Sequence, residues 1–155
     1  MRTIQGLTAV LGRVMLCTIF FMAAVGNKIP HFTDVAKLME SRGIPFAKLM
    51  LCGAIAFLIV GSISIIVGFQ ARLGAVLLLI FLALASYYFH NFWALSDAHA
   101  QQEQMIQFMK NLSMMGAMLF VIANGSGPMS VDSLLHKRAT VPAGERGTFA
   151  HTSIA

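Results

Sequence analysis

At 155 residues the chain is 57% hydrophobic and only 11% charged, with a mean hydropathy of +0.76; a soluble domain carries ~25% charged residues. That balance excludes an ordinary water-soluble globule. The formal net charge of +5 would suit a nucleic-acid partner, but the Lys and Arg residues are scattered through loops and tail rather than clustered, so they read as contacts to lipid headgroups.

The apolar residues fall into four blocks, Leu7 to Gly26, about Leu49 to Gly68, Leu73 to Trp93, and Ile106 to about Gly125. Each has roughly the 20 residues a helix needs to cross a bilayer. None alternates with the period of two that lipid-facing barrel strands require, so the prediction is an all-α bundle of four transmembrane helices with both termini on one side. Ala24, Val25 and Gly26 imitate a signal-peptide cleavage site, yet the apolar region before them is too long and contains Arg13, so the first block is read as a retained span. Arg13 lies roughly 9 Å into that span, where it either anchors the helix at the interface by snorkelling or bonds to carbonyls of another helix.

The first loop, Asn27 to about Lys48, is punctuated by Pro30, Gly43 and Pro45. Val35, Leu38 and Met39 predict a short interfacial helix near Asp34 to Ser41. The second and third spans are separated only by Phe69 to Arg72, which forces an antiparallel hairpin with Gly68 as its left-handed stop. Arg72 is assigned an interfacial, structural role. Gly53, Ala54, Ala56, Gly61, Ser62 and Ser64 in the second span would let another helix approach closely, within the bundle or in a homo-oligomer. The third loop, Ala94 to about Met105, is polar. Past Gly125 a turn leads to a brief amphipathic piece with Ser130 as its N-cap, and from Ala139 the composition predicts a disordered tail, leaving 1–138 as the membrane domain. The basic residues of the terminal side outnumber those opposite by six to five, which favours cytoplasmic termini.

Polar residues gather at the opposite membrane level. The first span ends in Asn27 and Lys28 with His31 close behind; the third in Tyr87, Tyr88, His90, Asn91 and Trp93; the fourth begins with Gln104, Gln107, Lys110 and Asn111. Tyr87, His90 and Asn91 stand at i, i+3 and i+4 and share one face of the third helix, and Gln107, Lys110 and Asn111 repeat that spacing on the fourth. One reading is a pocket for the headgroup of a quinone or similar lipid-soluble ligand, with His90 handling a proton and Lys28 or Lys110 supplying charge. The competing reading is an aromatic belt with snorkelling lysines. Met114, Met115 and Met118 continue inward from Asn111, as packing or as pocket lining. His31, His90 and His99 have no ligand spacing within a helix, so no metal site is predicted, and Cys17 and Cys52 form no C-x-x-C.

Several short pieces, in order, resemble the DoxX family of small four-helix membrane proteins: Gly12 and Arg13; Gly26, Asn27 and Lys28; Ser41, Gly43, Ile44 and Pro45; Gly68, Arg72 and Gly74; His90 to Trp93; and Lys110 with Asn111. The segment Gly125 to Asp132 is similar to the family's G-x-G-x-x-S-x-D ending. The resemblance spans about Leu7 to Asp132 and implies a bacterial inner-membrane protein. In parts of the family it implies a link to thiosulfate or quinone redox chemistry and to oxidative-stress complexes. It carries no catalytic motif over, so enzyme status stays open. The leading expectation is an accessory subunit that binds a quinone and supports a membrane or soluble redox partner. A small-solute transporter or channel subunit, or a scaffold without a ligand, are the alternatives.

Overall fold

The computed structural model describes residues 2–140, and every regular element among them is a helix. Four helices are long and apolar enough to cross a membrane, Thr3–Lys28, Ala47–Val67, Ala71–Ala94 and Ala98–Asn124. In detail, α1 runs over Arg2–Met22 and continues as a π-helix over Ala23–Lys28; α2 is Phe32–Ser41, α3 Ala47–Val67, α4 Ala71–Phe89, α5 Ala98–Asn124 and α6 Val131–Thr140. At 1.5 Å per residue, the 21 residues of α3 reach about 30 Å.

The short helix expected in the first loop is α2, which starts two residues earlier, at Phe32. It ends at Ser41, and two residues on Gly43, with a φ of +75°, turns the chain in the left-handed conformation that glycine supplies cheaply. Two boundaries differ from the hydropathy reading. Helix α5 begins at Ala98 rather than Ile106, because the Asp97 carboxylate accepts the Ala100 N–H at 2.8 Å and starts the helix in polar sequence. Helix α4 stops at Phe89, with His90 outside helical geometry, and a single 3-10 turn, Phe92–Ala94, follows. Ser130 caps α6 by accepting the Ser133 N–H at 3.1 Å. Beyond Thr140, the tail expected to be disordered lies outside the described residues.

Close backbone packing runs in series, α1 on α3, α3 on α4 and α4 on α5. The α3–α4 hairpin is tightest where two glycines face each other: a Cβ on Gly61 would lie 2.9 Å from the Gly74 carbonyl oxygen, and one on Gly74 2.9 Å from that of Gly61. Lipid offers no hydrophobic drive for helices to associate, so such close approach is how they gain dispersion energy. Around this seam Cys17, Phe20, Leu58, Ile65, Leu78, Leu82 and Met118 form the buried core. A second cluster, of Met39, Ile44 and Leu51 with Tyr88 and Phe89 against it, seats α2 on the end of the bundle.

One end of the bundle is closed by the G-x-G-x-x-S-x-D segment. The Asp132 carboxylate accepts the Gln70 N–H at 3.0 Å and the Ala71 N–H at 3.5 Å, so it caps α4; the Asp132 N–H donates to the Gly68 carbonyl at 2.9 Å. Arg13 is buried and donates from Nη2 to the Met129 carbonyl at 2.8 Å and from Nε to the Ala9 carbonyl at 3.3 Å. The carbonyl that Arg13 reaches outside its own helix belongs to the non-helical stretch between α5 and α6, where a partner on another helix was expected. Three distant stretches of chain thus meet at Gly68, which has a φ of +71° and lies directly against the Arg13 guanidinium.

Replacing Gly68 by Ala puts a Cβ into the Arg13 guanidinium and within 2.5 Å of the Ser130 Cβ, at a φ that disfavours side chains. The expected cost is about 2 kcal/mol or more. Asp132→Ala leaves the α4 N–H groups unpaired and should cost about 1–3 kcal/mol. Both show as a lower midpoint in thermal unfolding of the detergent-solubilised protein, read from Trp93, the single tryptophan. A Gly68→Ala protein as stable as the parent would contradict this packing.

Candidate functional site

At the other end the chain leaves polar groups open. The last turns of α1 widen into the π-helix Ala23–Lys28, with the Ile29 N–H reaching back to the Ala24 carbonyl at 2.9 Å. Such π turns are rare and recur at functional sites because the extra residue re-aims side chains. Here Lys28 turns inward: it is half-buried, and its ammonium lies 5.3 Å from the centre of the Phe81 ring. Phe81 stands five residues before Ser86 on α4, about 7 Å deeper along the helix. An ammonium at that depth without a counter-ion is costly. Among the described residues no carboxylate pairs with it; the ion pair present is His99 with Glu103, at 3.7 Å and on the surface.

Asn111 of α5 is buried and donates from Nδ2 to the Ser86 hydroxyl of α4 at 3.0 Å. This cross-helix bond fixes the register of α5 against α4 where both leave the core. One step outward, His90 Nδ1 lies 2.8 Å from Gln104 Oε1. An amide oxygen only accepts, so Nδ1 carries the proton in this pair, and in the neutral ring Nε2 is then an acceptor. The wall beside them is aromatic. Phe92, Trp93 and Phe108 pack edge to face, with centroids 5.2 to 5.9 Å apart, and they pin the 3-10 turn onto α5.

The site residues expected from spacing therefore separate into two groups. Lys28, His90 and Asn91 are half-buried and Asn111 is buried, whereas Tyr87, Trp93, Gln107 and Lys110 are exposed. Asn111 points inward while Gln107 and Lys110, on the same helix, do not. His90 and Asn91 lie past the end of α4, so they share no helical face with Tyr87. The exposed Tyr87, Trp93 and Lys110 have the placement an interfacial belt requires. The sequence reading missed Phe81 and Ser86, and it named Gln104 in the polar group at this level without giving it a place in the candidate pocket. Ser86 was legible as a hydroxyl in an otherwise apolar run, and Gln104 as a polar residue one helical turn before Phe108; nothing in the sequence marks Phe81.

A model of the DoxX family matches residues 8–91, more than half of the chain. The chain belongs to the DoxX family. Its relatives include inner membrane protein YqjF of Escherichia coli (strain K12), 28% identical over 138 residues that cover 89% of this chain and 99% of that protein. Inner membrane protein YphA of the same organism is 29% identical over 122 residues, covering 79% of this chain and 86% of that protein. No solved structure gives a significant match. Membership and four spanning helices together make this DoxX protein a multi-pass inner-membrane protein. The matched region takes in Lys28, Phe81, Ser86 and His90 of the open end, whereas Gln104 and Asn111 lie beyond it.

Replacing Asn111 by Leu in this DoxX protein removes the bond to Ser86 and leaves the hydroxyl unpaired in the core. A loss of about 1–2 kcal/mol is expected in thermal unfolding. Lys110→Leu, on the exposed side of the same turn, should change stability by less than about 0.5 kcal/mol. Equal losses in the two variants would remove the distinction between the inward and outward residues of α5.

Proposed function

We propose that the protein is an accessory subunit of a membrane redox system that binds a quinone or similar lipid-soluble ligand at the Lys28 end of the bundle. The observation that carries this reading is the Lys28 ammonium, drawn into the bundle by a π-helix and held over the Phe81 ring with no carboxylate partner among the described residues. A carbonyl oxygen of a quinone offers the acceptor that this donor lacks. A quinone ring is also flat enough to lie against an aromatic wall, and its isoprenoid tail belongs in the bilayer. His90 supports the same reading, since Nε2 is an acceptor for a quinol hydroxyl while Nδ1 is held by Gln104. The redox partner would deliver or remove the electrons, and this chain would hold the ring and manage hydrogen bonds to its oxygens.

Trp93 supplies the assay, because quinones quench indole fluorescence and the chain has one tryptophan. Titration with a short-tailed ubiquinone or menaquinone analogue should give saturable quenching. Lys28→Met should weaken it about tenfold, the worth of one charge-assisted hydrogen bond. Quenching that never saturates, or that is unchanged in Lys28→Met and His90→Ala, would sink the quinone reading.

A further inference from the structure

We infer that the closed end of the bundle carries a separate binding site for a phospholipid headgroup bearing both a phosphodiester and a primary ammonium. Between the start of α4, the end of α5 and the first turns of α6 lies an open depression of about 760 Å³, lined by Gln70, Arg72, Asn124, Ser126, Asp132 and Leu135 among others. Ala71 is the first residue of one span and Asn124 the last of another, so the depression sits where hydrocarbon gives way to headgroups.

Its lining holds one charge of each sign. Arg72 is exposed, and its hydrogen bond within the protein is a long one, from Nη2 to the Ala123 carbonyl at 3.5 Å. The guanidinium lies beside Gly125, with Nε 3.7 Å from the place a Cβ would take. The remaining N–H groups form the planar fork that matches two oxygens of a phosphate. Asp132 faces the same depression. Its Oδ1 is engaged by the Gln70 N–H at 3.0 Å, but among the described residues Oδ2 has two long partners, the Ala71 N–H at 3.5 Å and the Ser126 hydroxyl at 3.4 Å. That oxygen has room for a stronger donor.

The pair of charges selects the headgroup. A purely anionic lipid satisfies Arg72 but brings its charge beside the Asp132 carboxylate. A choline headgroup is zwitterionic, yet its quaternary nitrogen has no N–H to donate to Oδ2. A primary ammonium joined to a phosphodiester by two carbons meets both requirements, and Leu135 offers an apolar wall to the glycerol side. Behind the depression Arg13 Nη1 is buried with no hydrogen-bond partner among the described residues, which adds positive potential and keeps the site favourable to phosphate.

Native mass spectrometry of the full chain in detergent, titrated with short-chain phosphatidylethanolamine, phosphatidylcholine and phosphatidylglycerol, tests the assignment. The ethanolamine lipid should bind about tenfold more tightly than either of the others, and Arg72→Gln should abolish that preference. Phosphatidylglycerol or phosphatidylcholine binding as tightly as the ethanolamine lipid would overturn the proposal, as would a preference that survives in Arg72→Gln. Soluble phosphoethanolamine competing as well as the lipid would assign the site to a water-soluble phosphate ligand and so overturn the lipid claim. Should Arg72→Gln fail to fold, the ranking of the three lipids on the parent protein decides the matter, because it needs no variant.

Discussion

In hydrocarbon and at its edge, each N–H at the start of a helix must find an acceptor within the protein, since water is scarce and lipid tails offer none. At the head of α4 that acceptor is the Asp132 carboxylate, brought in from 62 residues further along the chain to the Gln70 N–H. The rest of the closed end depends on this. Once Asp132 is seated, its own N–H reaches the Gly68 carbonyl, Ser130 is placed to start α6, and Met129 presents its carbonyl to Arg13. A buried guanidinium in α1 is then tolerable because part of its hydrogen-bonding demand is met by backbone that would otherwise be unpaired. The clasp joins the first span, the central hairpin and the segment after the last span, and it holds together a bundle whose close packing runs from neighbour to neighbour.

The opposite end is built on a different principle. There the chain leaves donors and acceptors incompletely used: an ammonium over an aromatic ring, a histidine with one nitrogen engaged, a buried amide that spans two helices. Helix α2 packs against Tyr88 and Phe89 at this end and the Phe92–Trp93–Phe108 group packs on α5, and apolar bulk beside a polar group raises the stakes of leaving it unpaired. The π-helix at the end of α1 sacrifices regular i to i−4 bonding to turn Lys28 inward. One end is therefore clasped by the protein's own backbone, with Arg13 Nη1 and Asp132 Oδ2 left short of strong partners, and the other leaves an ammonium and a histidine nitrogen for something else to complete.

Much of this was legible residue by residue. Hydropathy located the four spans, because crossing about 30 Å of hydrocarbon leaves a helix little compositional freedom. Gly68 before a four-residue connection marked the hairpin, and Ser130 marked the start of α6, since both residues act through local backbone geometry. The limits of α5 and α4 were less legible. Polar sequence before Ile106 extends the helix once Asp97 caps it, and α4 ends at Phe89 although apolar residues continue to Trp93. Hydropathy reports where a helix meets lipid, which differs from where its hydrogen bonds begin and end.

The open end shows the same division. Residue types at one membrane level pointed to Lys28, His90, Asn91 and Asn111, and parity of the spans placed them together. Spacing also nominated Tyr87, Trp93, Gln107 and Lys110, which the tertiary arrangement leaves on the outside. By itself the sequence determined the class of protein, the number of spans, the hairpin and the end of the bundle at which polar chemistry collects, because composition and local backbone preference suffice for those. Only the tertiary structure decided that Asp132 caps a helix from another part of the chain, that Gly61 and Gly74 are the point of closest approach, and that Lys28 rests on Phe81. Each of these depends on helix rotation and on partners far apart in sequence, and no local preference encodes either.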